Sequence, residues 1–180
     1  MANSSAACSA IEAIVAPILV IGIGNPSRGD DALGPLLVER IEAMELPGVE
    51  CLTDFQLQVE HALDLVGREE VVFVDATVAG NAPFTFAPVV PVRDASAATH
   101  ALTPAAVLDA YVRVTDESLP PARVLAIRGY AFTLGEELSK DAAANLEAAE
   151  RALVSALSAP PPSEPRWAGA RPPARAKQRA

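Results

Sequence analysis

Residues 18–37 read ILVIGIGNPSRGDDALGPLL, and this stretch decides the fold. Its apolar run, Ile18 to Ile23, predicts a strand buried on both faces, as central strands of parallel sheets are. Gly22, Gly24 and Gly29 mark a tight loop, with Asn25-Pro26 as its turn signal. Leu33, Leu36, Leu37, Ile41 and Met44 then recur at helical spacing, so the loop opens into an amphipathic helix. Asp30 and Asp31 stand where that helix begins. Asp is a favoured N-cap, and one Asp suffices for a cap. The second is left at the carboxyl end of a central strand, where open α/β sheets place their ligands.

Outward from this stretch, strands and helices alternate. Pro47-Gly48 predicts a turn, Val49 to Thr53 a second strand, and Val59, Ala62, Leu63 and Val66 the buried side of a short helix ending near Gly67. That pattern puts His61 on a solvated flank. Val71 to Val74 is another continuous apolar run, ending in Asp75. Phe84 to Val92 has strand character but carries Pro88 and Pro91, which confines it to an edge or a bulge. A loop with Asp94, Ser96, Thr99 and His100 follows. Thr103-Pro104 is a helix start, with Val107, Leu108, Tyr111 and Val114 as the buried side. Arg123 to Ile127 reads as the last strand. Ser139 caps a final helix whose apolar face is Leu146, Ala149, Leu153, Val154 and Leu157.

This alternation is the signature of βαβ units. It predicts an α/β fold in three αβα layers: a twisted, mostly parallel sheet of about five strands with helices on both faces. The expected organisation is an N-terminal extension over residues 1–17, one domain over 18–158 and a Pro/Arg-rich, disordered tail over 159–180. The tail carries five basic residues against one acidic, so a net charge of −9 for the chain leaves −13 on the rest. Such an acidic body argues against a general nucleic-acid binder. Cys8 and Cys51 lie far apart without CxxC spacing, which fits reduced thiols rather than a zinc knuckle or disulfide framework. No apolar stretch approaches the roughly 20 residues of a membrane span. Residues 1–17 lack the basic start of a secretory signal, and the expected location is cytoplasmic.

The loops after the first and third strands, and the loop before Thr103, converge on one sheet edge in this topology. Three groups then meet: Asp31, Asp75 and His100. His100 precedes a helix start, whose positive end disfavours imidazolium and leaves the ring neutral as a ligand. Two carboxylates and an imidazole suit a divalent transition metal, nickel and zinc alike.

Taken with GIGNPSRGDDALG (Gly22 to Gly34), FVDA (Phe73 to Ala76), the His100 loop before a helix and RGYAFTLGEELS (Arg128 to Ser139), the chain resembles the hydrogenase maturation proteases. The resemblance spans roughly Ile18 to Leu157. It implies an endopeptidase that removes the C-terminal propeptide of the nickel–iron hydrogenase large subunit once nickel is inserted. It also implies that Asp31, Asp75 and His100 receive the nickel carried by that precursor, another divalent metal being possible. Hydrolysis needs an activated water and a polarised carbonyl, and Asp31 and Asp75 are the expected catalytic carboxylates, as ligand, base or both. Neither nucleic acid nor membrane is expected as a partner.

Three other readings use the same residues. A non-catalytic nickel-dependent docking module or chaperone would employ the same ligands without cleavage. A dinucleotide-binding module is disfavoured because Ser27 takes the place of the third glycine in G-x-G-x-x-G, and two Asp residues repel a pyrophosphate. Peptidyl-tRNA hydrolase has a similar GxGNP opening, yet no histidine lies between Gly24 and His61, and the negative charge disfavours tRNA.

Overall fold

The computed structural model describes residues 15–93 and 102–158. Five strands form one sheet in the order β2-β1-β3-β5-β4: β1 Ile18–Ile23, β2 Val49–Asp54, β3 Glu70–Thr77, β4 Phe84–Pro88 and β5 Ala122–Arg128. The first three and β5 run parallel, while β4 lies antiparallel on the β5 edge. The prolines explain the edge position. Pro88 ends the strand without a donor to offer a further neighbour.

Helices cover both faces, which gives the three expected layers. On one face Val20, Val72, Val74, Leu125 and Ile127 pack against Leu33, Leu37 and Ile41 of α1 (Leu33–Glu42) and against Leu146, Ala149 and Leu153 of α4 (Lys140–Leu157). On the other, Leu19, Ile21, Val71 and Phe73 pack against Val107, Leu108 and Tyr111 of α3 (Pro104–Val114) and against Ala62 of α2 (His61–Asp64). The alternation of a strand's side chains divides Val71/Phe73 from Val72/Val74, and both sets are fully buried. Scarce aromatics are no obstacle, since aliphatic side chains fill most of both layers, with Phe73 and Tyr111 added on the second face.

The caps of α3 and α4 follow the sequence. Thr103 Oγ1 accepts from the Ala106 N–H at 3.2 Å, and Ser139 Oγ accepts from the Ala142 N–H at 3.3 Å. The start of α1 does not. A 3₁₀ turn, Gly29–Ala32, precedes it, and neither Asp30 nor Asp31 caps the helix. Both carboxylates are engaged elsewhere.

The second helix also departs from the expectation. It is a single turn, too short for helical periodicity to sort its residues. Val59 and Leu63 are exposed, while Leu57, Ala62, Leu65 and His61 are buried. His61 is therefore not on a solvated flank. Its Nδ1 accepts from the Gln58 N–H at 2.9 Å, and its Nε2 faces Asp54 Oδ2 at 3.5 Å. Met44 and Val114, both expected on buried faces, lie exposed beyond the last turns that pack on the sheet. No helix among the described residues is long and apolar enough to cross a membrane.

Candidate active site

The carboxyl ends of β1 and β3 hold the site. In register Gly22 pairs with Val74, so Asp75 stands level with the end of β1, where the chain turns through Gly24. Asp75 shares the sheet face of Val71 and Phe73, which α3 covers. Asp31 reaches the same edge from the 3₁₀ turn ahead of α1.

Glycines bring that turn close. A Cβ on Gly34 would lie 2.7 Å from the Val74 carbonyl oxygen and would overlap the Ile23 carbonyl, and one on Gly22 would lie 2.8 Å from the Gly34 carbonyl oxygen. The start of α1 thus rests backbone-to-backbone on β1 and β3, with Asp31 three residues ahead of that contact. At Gly24 the backbone takes φ +137°, and a side chain there would overlap the Asp31 carbonyl oxygen. Asn25 Oδ1 accepts from the Ser27 N–H at 2.9 Å, an Asx turn that shapes the loop. The Asn25 N–H donates to Asp31 Oδ2 at 3.0 Å and so fixes the carboxylate from its own strand's exit loop.

Asp75 has an ionisation to match this position. Burial pushes its carboxyl up to about 6, the like charge of Asp31 adds to the rise, and the Ala76 N–H opposes it. Proximity of two carboxylates at a strand edge, one titrating near neutrality, is suited to proton transfer or cation capture.

Asp30 is the opposite case. It is fully buried. Its Oδ2 accepts from the Tyr130 N–H at 2.6 Å, the Ala131 N–H at 3.0 Å and Ser139 Oγ at 2.8 Å, and its Oδ1 accepts from the Ser139 N–H at 2.7 Å. Burial alone would raise its pKa, but these donors outweigh it and hold the carboxyl below its ordinary value. Asp30 therefore fastens the β1–α1 loop to the segment between β5 and α4. Sequence reasoning left the role of Asp30 open, although RGYAFTLGEELS supplied every donor.

His100 lies outside the described residues. After it in the chain, the Leu102 N–H donates to the Leu57 carbonyl oxygen at 3.0 Å, next to the end of β2. Among the described residues no group of three His, Cys, Asp or Glu side chains is placed to hold a metal ion. Cys51 is a half-buried free thiol on β2, and burial pushes it up to about 11, far from a nucleophile's range.

Comparison with solved structures places this architecture. The hydrogenase maturation protease HycI from Thermococcus kodakarensis KOD1 superposes with a TM-score of 0.62 at 26% identity, over 80% of this chain and 94% of that one. The hydrogenase maturating endopeptidase HybD from E. coli gives 0.59 at 27% identity, over 78% and 91%. The chain is similar to hydrogenase maturation proteases. An endopeptidase from Escherichia coli solved in solution agrees, with a TM-score of 0.59 at 28% identity over 78% and 91%. A scan against protein-family models and a search of the curated proteins each return no match. By that likeness the chain is a peptidase, a hydrolase. That likeness gives the Asp31/Asp75 edge a reaction to be tested against.

Proposed function

We propose that this chain removes the C-terminal propeptide of a nickel–iron hydrogenase large-subunit precursor after nickel insertion. The observation that carries the reading is the pairing of Asp31 and Asp75 at one strand edge, Asp75 being raised to about 6. A carboxylate of that basicity accepts a proton from water at neutral pH, when its ionised form predominates. Asp75 is the base, and Asp31, held by the Asn25 N–H, supplies a second oxygen donor beside it. Both carboxylates, joined by His100, receive the nickel that the precursor brings. Carboxylate and imidazole donors accept that ion, and its charge favours the ionised form of both acids.

In this mechanism the metal is part of the substrate. A precursor without nickel offers the acidic edge nothing to grip, so cleavage waits for metal insertion. The Gly24–Ser27 loop and the Asp30 fastening hold the edge in place, and turnover requires no movement of the sheet.

Purified protein should be incubated with large-subunit precursor, nickel-loaded and nickel-free, and the precursor mass followed. Shortening of the loaded form alone is expected, with His100→Ala leaving it intact. Nickel-dependent binding without any shortening would instead select the docking-module reading. Cleavage of both forms at equal rates would reject metal recognition.

A further inference from the structure

We propose that the basic tail, residues 159–180, docks Trp167 into an apolar groove on the α3 face of its own chain, away from the carboxylate edge. The groove has a volume of about 560 Å³ and is walled by Val89, Val90, Pro91, Val112 and Leu119. Val90 is 52% and Val112 40% exposed, so apolar surface is presented to solvent on both walls. Contiguous apolar surface of this kind marks an interaction site.

Three observations select the occupant. First, position: α4 returns from the carboxyl edge after β5, so its end at Leu157 lies at the opposite edge. Ala122, Pro120 and Leu119, which open β5 and line the groove, lie at that edge too. Trp167 follows Ser158 by nine residues, and an extended chain of that length reaches roughly 30 Å. Passing one sheet and one helix layer requires about 20 Å at the usual spacing of about 10 Å per layer.

Second, charge: Asp109 and Glu117 line the groove, with Arg113 as the counter-charge on Asp109 at 3.3 Å. The tail brings Arg166 and Arg171 on either side of Trp167, within a segment of net +4 against a body of −13. Third, chemistry: Trp167 is the sole tryptophan of the chain. An indole buries a large apolar area, and prolines at 160–162, 165, 172 and 173 lessen the entropy that docking costs. A substrate, by contrast, has to engage the other edge.

Because Trp167 is unique, its fluorescence reports the docking without a label. In the full chain at low salt, emission should be blue-shifted and less open to iodide quenching than in a peptide of residues 159–180. Val112→Glu, at an exposed position, should return both readings to those of the peptide while far-ultraviolet dichroism stays unchanged. High salt should weaken the protection in part. Peptide-like emission in the full chain, or a shift that survives Val112→Glu, would overturn the proposal. So would a shift that vanishes on dilution, which would assign the groove to the tail of a second copy.

Discussion

Asp30 and Asp31 are neighbours in sequence with opposite fates, and the contrast explains how one loop serves both fold and chemistry. Asp30 is sealed from solvent and accepts four hydrogen bonds from the β5–α4 segment. Asp31 accepts one, from Asn25, and lies close enough to Asp75 for its charge to raise that carboxyl. A carboxylate that accepts four hydrogen bonds holds structure and resists protonation. One left partly unsatisfied beside another carboxylate retains free energy that a proton or cation releases.

The largest effect expected from breaking this contrast is on activity. Asp75→Asn should lower the cleavage rate by at least about 10²-fold, the usual contribution of a positioned base, with Asp31→Asn comparable and thermal unfolding showing both variants folded. Asp30→Ala should act on stability instead. It strands three backbone N–H groups and a hydroxyl, and at about 1–3 kcal/mol per unsatisfied group the loss should be at least about 3 kcal/mol in chemical denaturation.

A sharper test separates the two by pH. Asp75 is raised in the folded state to about 6, above an unfolded value of about 3.9, so its ionisation works against folding. That penalty is absent below the unfolded value, grows as pH rises and is complete above about 6. Asp75→Asn should therefore stabilise the protein at pH 7–8, by roughly 1–3 kcal/mol, while doing nothing at pH 3.5. Asp30 has the reverse sign. Its depressed carboxyl contributes stability present above the unfolded value and lost as pH falls through the lower folded one. The kcat/KM for cleavage, which reports groups of the free protein, should fall about tenfold per pH unit below about 6 as Asp75 takes up its proton.

The smallest effect serves as a control. Arg40 and Glu150 form an exposed ion pair at 2.7 Å between α1 and α4, remote from the site. Arg40→Ala should shift stability by less than about 1 kcal/mol and leave cleavage unchanged.

Much of this was legible in the sequence because the signals were local. The apolar runs at Ile18 and Val71, the Thr103-Pro104 start and the Ser139 cap each depend on a few adjacent residues, and each element formed there. The carboxyl-edge positions of Asp31 and Asp75 followed from the βαβ topology. Asp30 was not legible, because its donors lie about a hundred residues away, and a long-range acceptor looks in sequence like a local cap. His61 was misread for a related reason: one helical turn has no periodicity to read, and tertiary packing of Leu57 and Leu65 set its orientation.

The proposed reaction requires Asp75, beside Asp31, for shortening of a nickel-loaded large-subunit precursor. Its most direct test is the intact mass of that precursor after incubation with the protein or with Asp75→Asn. The expected result is loss of a short C-terminal peptide with the first and an unchanged mass with the second. Equal shortening by both would contradict it.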